Sequence, residues 1–171
     1  MITLRDFAIE DTERLVEVLN DCEVTRFLST KIPSPYTHTD AEWWILQGSK
    51  TGIVKAIEFN QQLIGCISVA PGEFEYQRSG EIGYWLDRQY WHRGLMATAI
   101  AQITKHVFSH TQMVRIFATV FADNIGSQKL LLKCGFESEA ILRNAIYKHQ
   151  QFYDAYIFAT FKDKKFDQCE P

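Results

Sequence analysis

One amphipathic helix between two strand-like segments constrains the fold of this chain more than any other feature. Residues 94–109 carry apolar side chains on one face at helical spacing, namely Met96, Ile100, Ile103 and Val107. Residues 80–86 before this helix and residues 114–121 after it have the composition of strands. A helix that connects two strands of one sheet makes a parallel crossover. The sequence therefore predicts the α/β class.

The remaining pattern predicts a mixed sheet. The predicted order of elements is β, two helices, β, β, β, α, β, α, β, β. The early strands pair antiparallel through tight turns, as at residues 60–62 between strands 53–59 and 63–69. We therefore expect a three-layer α/β fold with a mixed sheet, formed by a single domain that spans residues 1–171.

Capping residues predict where several helices begin and end. Asp11 precedes an apolar stripe at helical spacing and is a candidate N-cap. Thr39 and Glu42 have the spacing of a capping box for the second helix. Asn124 can cap a later helix, which Gly135 would follow as a left-handed terminating residue.

Composition and charge exclude several classes of protein. The formal net charge is -3 and no basic face is visible, so nucleic acid is not an expected partner. The cysteines lie far apart without a CxxC pair, which predicts neither a metal site nor a disulfide framework; they are Cys22, Cys66, Cys134 and Cys169. The N-terminus lacks the layout of a signal peptide, and no apolar run approaches the ~20 residues of a membrane span. We expect a soluble, cytoplasmic protein without a membrane partner.

The loop that leads into helix 94–109 has the chemistry of an anion site. It presents backbone N–H groups beside the positive end of the helix dipole. Gly94 lets the backbone approach a pyrophosphate, and Arg93 adds positive charge. An ordinary strand-to-helix turn has the same pattern, so both interpretations stay open on this feature. The chain has neither GxGxxG nor GxxxxGK[ST], which argues against a dinucleotide fold and a P-loop.

Several short motifs, taken in order, resemble the acetyl-CoA-binding core of the GNAT acetyltransferases. They are residues 80–86, 90–97, 124–127, 133–136, 141–143 and 153–154. Within that family they look like the branch that includes the ribosomal-protein N-terminal acetyltransferases. The resemblance implies a GNAT-like α/β/α fold in which the fourth strand splays centrally from the fifth. It also implies acetyl-CoA as the cosubstrate and no metal.

The resemblance assigns cosubstrate contacts to three segments. The pantetheine arm would add to the sheet edge and contact the backbone of Tyr84, Trp85 and Leu86. Asn124 and Ser127 would lie near the pantetheine and the thioester. The pyrophosphate would meet backbone N–H groups of one loop, whose residues are Trp91, His92, Arg93, Gly94, Leu95, Met96 and Ala97.

The chain departs from the family pattern at three positions. Trp91 replaces the usual Gln or Arg at the start of the loop, which removes a side-chain donor but keeps the backbone N–H groups. Met96 stands where Gly or Ala is usual, although methionine there looks like this branch. Leu131 occupies the position of a tyrosine that serves many GNAT enzymes as general acid. The identity of the acid is therefore open.

Amide formation from a thioester needs a neutral amine, an oxyanion donor and a proton for the leaving thiolate. Glu81 is the candidate base, acting directly or through water, because it lies on the strand where GNAT enzymes often place a glutamate. The alternative is a surface glutamate or an ion-pair partner. Ser127 is the candidate acid or thiolate donor, and helix capping is its alternative. A backbone N–H of the fourth strand would serve the oxyanion.

Three functions fit the sequence. The first is acetylation of the α-amine at a peptide or protein N-terminus, with ribosomal proteins as one possibility. The second is acetylation of a small amine, such as a polyamine, aminoglycoside or amino-acid derivative. The third is a non-catalytic acyl-CoA-binding module. Residues 27–44 and 147–152 would form the walls of the acceptor site. Four aromatic residues are candidates to line it, with core packing as the alternative role of each: Tyr36, Trp43, Trp44 and Tyr153. The chain could be a monomer or a homodimer.

Overall fold

The computed structural model describes residues 1–162. Its contacts divide the chain into two compact units. The first unit comprises Met1–Ala70 and Gly83–Ile103, and the second comprises Pro71–Ile82 and, of the described chain, residues 104–162. The expectation of a single domain over residues 1–171 stays a prediction, and Cys169 lies outside the described residues.

The strands form a mixed sheet, as the sequence predicts. They are β1 (Ile2–Arg5), β2 (Ile53–Phe59), β3 (Gln62–Pro71), β4 (Ser79–Leu86), β5 (Arg115–Phe121), β6 (Glu137–Lys148) and β7 (Gln151–Phe161). Their hydrogen-bonded order is β1-β2-β3-β4-β5-β7-β6. The β4–β5 pair is parallel, whereas β1–β2, β2–β3, β5–β7 and β7–β6 are antiparallel. The α/β class is therefore confirmed.

The parallel pair is short. Only Ser79–Glu81 of β4 form a ladder, with Arg115–Phe117 of β5, although β4 has eight residues. Backbone groups of a strand that leave a ladder become available to other partners. The splay of the fourth strand from the fifth stays a prediction.

The helices confirm the main expectations. They are α1 (Thr12–Leu19), α2 (Cys22–Thr25), α3 (His38–Leu46), α4 (Leu95–His110) and α5 (Ile125–Lys133). The predicted helix over 94–109 is α4, and its four apolar face residues are all at most 7% exposed. The short α2 was not predicted, because four residues are too few for a periodic signal. No helix within residues 1–162 is long and apolar enough to cross a membrane.

The predicted capping box of α3 is misplaced, and the predicted N-cap of α1 lacks its side-chain bond. Helix α3 begins at His38, with Thr37 and Asp40 forming the capping box, so the predicted box at Thr39 and Glu42 is two residues late. The side chain of Asn20 fixes the start, because it bonds both the N–H and the carbonyl of Tyr36 at 2.9 and 2.8 Å.

Asp11 occupies the N-cap position of α1, as predicted, but its carboxylate does not bond the helix N–H groups. It accepts hydrogen bonds from the Arg5 guanidinium at 2.7 Å and from the Ala8 N–H at 2.9 Å. An arginine partner and a local backbone donor together outcompete the helix N–H groups for this carboxylate. Asn124 and Gly135, by contrast, have the predicted roles. The Asn124 side chain accepts from the Ser127 N–H at 3.1 Å, and Gly135 is left-handed at φ +83.

The first unit has a continuous apolar core. It forms where α1 and α3 cover β2 and β3, and its buried members are Phe7, Leu15, Leu19, Tyr36, Ala41, Ile45, Ala56, Leu63 and Cys66. Trp44 and Trp85 pack against this core. Core packing is therefore the observed role of Tyr36 and Trp44. Each fully buried aliphatic side chain contributes about 1.5–3 kcal/mol to the stability of such a core.

Burial of the Cys66 thiol predicts an alkaline loss of stability. Burial raises the pKa of Cys66 from 9.0 to about 12. Because the pKa is higher in the folded chain, this stabilisation is complete below pH 9 and is lost as the pH rises toward 12. Between about pH 8 and pH 10, we expect the free energy of unfolding to fall by about 1 kcal/mol more in the wild type than in Cys66→Ala. Urea unfolding at both pH values measures it, and equal losses in the two proteins would contradict the burial.

Candidate functional site

The loop that follows β4 in the first unit is fixed by its aromatic side chains. A short 3₁₀ turn, Arg88–Tyr90, precedes the loop. The Tyr90 ring lies edge-on against Phe59, at a centroid distance of 6.0 Å, and the Arg93 guanidinium lies 5.3 Å from its centroid. The Tyr90 hydroxyl also lies 3.1 Å from the Gln62 side-chain oxygen, to which it donates. Tyr90 therefore anchors the loop to the β2–β3 hairpin.

Trp91 makes a second attachment. Its indole N–H donates to the carbonyl of Leu86 at 2.8 Å, which connects the loop back to the last residue of β4. A Gln or Arg at this position would offer a mobile donor, whereas the indole is held in place by its bond. The departure at Trp91 thus keeps the loop in shape, and any anion must be bound by backbone N–H groups.

The backbone after Trp91 opens toward the start of α4. His92 and Gly94 are both left-handed, at φ +60 and φ +74. A Cβ added to Gly94 would meet nothing within 4 Å, so the space above this residue is open. The first bond within the helix runs from the Thr98 N–H to the Gly94 carbonyl, at 3.2 Å. The N–H groups of residues 95–97 precede that bond and point out of the helix end.

These features together form a chemically competent anion site. Residues 91–94 are exposed, and α4 is 16 residues long, which gives its N-terminus a full dipole. Side chains of the first turn do not obstruct the backbone, since Met96 is buried at 7% exposure and Leu95 and Ala97 are half-buried. Phosphate oxygens bind readily to N–H groups in this arrangement.

The end of β4 is packed closely against β3. A Cβ added to Gly65 of β3 would lie 2.5 Å from the Trp85 carbonyl oxygen and 3.0 Å from a Leu86 methyl carbon. Only glycine allows this approach of the two backbones. Leu86 is buried, and Tyr84 and Trp85 are half-buried. The last two residues of the predicted pantetheine strand are therefore held closely against β3.

Glu81, which belongs to the second unit, is the titratable side chain of β4 that is best placed to exchange protons with solvent. It lies opposite Phe117 of β5 at the last position of the parallel ladder, and its side chain is exposed. Among residues 1–162 the Glu81 carboxylate has no hydrogen bond and no ion pair. The ion-pair alternative for Glu81 is thus not observed within the described chain. A solvated, unpaired carboxylate is able to accept a proton directly or through water.

Asn124 and Ser127 form the corner between β5 and α5 in the second unit. Asn124 caps the helix by accepting from the Ser127 N–H. The Gln128 amide supports the corner by donating to the carbonyls of Phe121 and Ala122, at 3.3 and 2.7 Å. Capping therefore accounts for the Asn124 side chain and the Ser127 backbone. The acid role of the Ser127 hydroxyl stays a prediction.

Several other candidates have resolved roles. Leu131 is completely buried, so its position supplies no acid and serves the core instead. Trp43 is 55% exposed, whereas the Tyr153 ring packs against Phe121 at a centroid distance of 5.4 Å.

Two features of the site were missed by sequence reasoning. The indole bond of Trp91 depends on a side-chain direction that no motif encodes. Arg14 of α1 pairs with Asp87, which lies 73 residues later in the chain. Asp87 directly follows the strand-like run 80–86 and could have been noticed there, but nothing in the sequence points to Arg14 as its partner.

The comparisons with known proteins agree with this geometry. The family model described as acetyltransferase (GNAT) domain matches residues 1–137. This chain belongs to the GNAT acetyltransferase family. As a GNAT acetyltransferase, it is an acyltransferase whose acyl donor is acetyl-CoA.

The similarity to known relatives covers nearly the whole chain. YoaA of Bacillus subtilis (strain 168), an N-acetyltransferase, is 29% identical over 169 residues, which are 96% of this chain and 95% of the relative. RimL, a ribosomal L7/L12 α-N-protein acetyltransferase solved with coenzyme A, is 19% identical and superposes with a TM-score of 0.83 over 95% of this chain and 94% of its own.

A third similar protein was solved with two ligands. MccE, a microcin C7 self-immunity acetyltransferase solved with acetyl-CoA and AMP, is 21% identical. It superposes with a TM-score of 0.82 over 94% of this chain and 92% of its own. At these identities the two solved structures establish the shared fold alone.

Proposed function

We propose that this GNAT enzyme transfers the acetyl group of acetyl-CoA to the α-amine at the N-terminus of a peptide or protein, with ribosomal proteins as the first candidates. The observation that carries the acetyl-CoA part is the open α4 N-terminus. Gly94 there is left-handed with free space above it, and three N–H groups precede the first helical bond.

The chain's own groups fit a pyrophosphate and a pantetheine arm. The N–H groups of the loop 91–97 would bind the pyrophosphate, and the Arg93 guanidinium would add charge. Backbone groups of Tyr84, Trp85 and Leu86 would hold the pantetheine by strand addition. The Leu86 carbonyl would then be shared with the Trp91 indole, which a carbonyl with two lone pairs allows. Acetyl-CoA supplies the activated thioester.

The proton steps would fall to Glu81 and Ser127. An α-amine has an ordinary pKa of about 8, so most of it is ammonium at neutral pH and cannot attack a thioester. Glu81 would take that proton, directly or through water, because its carboxylate is exposed and unpaired within residues 1–162. The neutral amine would then attack the thioester carbonyl, and a backbone N–H of β4 would bind the oxyanion. Collapse would break the C–S bond. The Ser127 hydroxyl would donate a hydrogen bond to the leaving thiolate, which would be protonated by the second proton that the nitrogen loses.

The acceptor part of the proposal is supported by the relatives. RimL is described as an α-N-protein acetyltransferase, and the motifs of this chain resemble its branch. MccE supports a second candidate function, acetylation of a small amine, because its structure contains AMP and has the same fold. A cytoplasmic location would suit either acceptor and stays a prediction.

A competition among acceptors tests the proposed function. Purified enzyme and acetyl-CoA are incubated with a short peptide that has a free α-amine and one lysine. The same peptide with a formyl-blocked N-terminus, and a panel of polyamines and aminoglycosides, serve as alternatives. We expect product only from the free peptide, with mass spectrometry placing the acetyl group on its α-amine. Acetylation of the blocked peptide, or faster turnover of a small amine, would overturn the acceptor assignment.

A further inference from the structure

Asp87 directly follows β4 and forms, with the groups that bond it, a corner of the first unit. Every polar group of Asp87 has a partner, and its side chain is only 8% exposed. Its backbone N–H donates to the Ile64 carbonyl at 2.8 Å, and its carbonyl accepts from the Tyr90 N–H at 2.9 Å. Its carboxylate accepts from the Gln89 N–H at 3.0 Å. Asp87 therefore connects β3 to the 3₁₀ turn before the loop.

Arg14 completes the corner from α1. Its guanidinium pairs with the Asp87 carboxylate, and its Nε donates to the Leu63 carbonyl at 3.1 Å. The side chain of Arg14 is 12% exposed, so both partners of the pair are largely removed from water. Arg14 and Asp87 thus hold two consecutive residues of β3, Leu63 and Ile64, and attach α1 to the same point.

The corner is continuous with the loop that precedes α4. Leu86, the residue before Asp87, accepts from the Trp91 indole, and the left-handed residues His92 and Gly94 follow immediately. Residues 88–90, which form one short 3₁₀ turn, are the whole connection between Asp87 and Trp91. A displacement of Asp87 is therefore transmitted to the loop.

The energetics favour a geometric role for this ion pair over a role in stability. Removing two charges from water costs about as much as their attraction returns, so a buried pair adds little to folding. Its directional bonds nevertheless fix the positions of both groups. Loss of Arg14 leaves the Asp87 carboxylate buried without a charge partner among residues 1–162, whereas loss of the Asp87 charge leaves Arg14 paired there only with the exposed Glu17. The corner would then rearrange to reach water.

We propose that Arg14 and Asp87 are positioning residues, which hold the loop 91–94 in the shape that binds the pyrophosphate of acetyl-CoA. The inference rests on the proposed function for its ligand. Neither side chain touches the cosubstrate in this account. Each acts through the backbone of Leu86–Trp91.

The experiment compares Asp87→Asn, Arg14→Gln and the double variant with the wild type. Asp87→Asn keeps the shape of the side chain and its acceptor for the Gln89 N–H. We expect KM for acetyl-CoA and Kd for coenzyme A to rise at least about fivefold in each single variant, because small misplacements of binding groups are costly. At saturating acetyl-CoA, kcat should stay within about twofold. The double variant should be no worse than the singles, since the pair acts as one unit.

Arg5→Gln is the matched control. Arg5 is also a partly buried arginine of the first unit that pairs with a carboxylate, Asp11, but none of its partners belongs to β4 or to the loop. We expect Arg5→Gln to lower the urea midpoint without changing KM for acetyl-CoA. Urea unfolding of every variant checks that binding is measured on folded protein, and Arg14→Lys, which keeps the charge, replaces Arg14→Gln if that variant does not fold.

Two results would overturn the inference. One is an unchanged KM in both single variants, and the other is an equal rise of KM in Arg5→Gln, which would mean that any loss of stability weakens binding. Failure of the wild type to bind coenzyme A is a separate result, and it would overturn the proposed function together with this inference.

Discussion

Glu81→Gln is expected to lower kcat at neutral pH by at least about tenfold, because general bases typically contribute ~10²–10⁴-fold and a base that acts through water lies at the low end. The substituted amide would keep the size and polarity of the side chain on β4 but would not accept the proton of the ammonium. The Glu81 carboxylate is exposed and unpaired within residues 1–162, so the substitution breaks no structural contact there. We therefore expect KM for acetyl-CoA and the urea midpoint to stay unchanged.

The pH dependence separates a base from a structural role. An α-amine acceptor with a pKa near ~8 becomes mostly free base above that pH and then needs no catalyst to lose its proton. The deficit of Glu81→Gln should therefore shrink as the pH rises from about 7 to about 9.5. Glu75→Gln, in the exposed turn Phe74–Tyr76 of the same unit, is the control and should behave as wild type. A deficit that stays constant with pH would contradict the base assignment.

Gly94→Ala is expected to raise KM for acetyl-CoA at least about tenfold, which corresponds to roughly 1.4 kcal/mol of binding free energy. Gly94 is left-handed at φ +74, and the added methyl group would project into the open space above the loop. A left-handed alanine costs about 1–2 kcal/mol of backbone strain, which favours a shift of the loop. Both effects act against the approach of a pyrophosphate.

Gly135→Ala provides the control for strain alone. Gly135 is left-handed at φ +83, and a Cβ there also meets nothing within 4 Å, but it lies at the end of α5. We expect both variants to lose a similar amount of stability, and only Gly94→Ala to lose acetyl-CoA affinity. Steady-state kinetics and urea unfolding of the two proteins measure this. Equal KM values in the two variants would show that the α4 N-terminus does not bind the cosubstrate.

The parts of the fold that the sequence predicts are those with a strong local period. Helix α4 was placed within one residue at each end, because its apolar face repeats along the helix and is bounded by strand-like segments. The left-handed glycine after α5 and the Asn124 cap were likewise predicted, since each depends on one residue type at a helix end. The family resemblance then predicts the roles of the loop 91–97 and of Glu81, and both stay predictions.

The details that were missed depend on contacts between distant residues. Helix α3 is capped by Thr37 because Asn20 holds the preceding backbone, whereas Thr37 and Thr39 offer the same local pattern. Arg14 meets Asp87 only after α1, β3 and β4 have packed together. In the sequence, Trp91 is visible only as the loss of the Gln or Arg side-chain donor. In the structure its indole N–H bonds the carbonyl of Leu86 at the end of β4. No pattern along the chain encodes such pairings before the fold exists.

The release of free thiol from acetyl-CoA, followed with and without an N-terminal peptide, tests whether this chain is an α-amine acetyltransferase. We expect thiol release that needs the peptide, saturates with acetyl-CoA and stops when the α-amine is blocked. Release at the same rate without any amine would identify a thioester hydrolase. No release with any amine acceptor would show that the protein is not an acetyltransferase. Either result would contradict the proposed function.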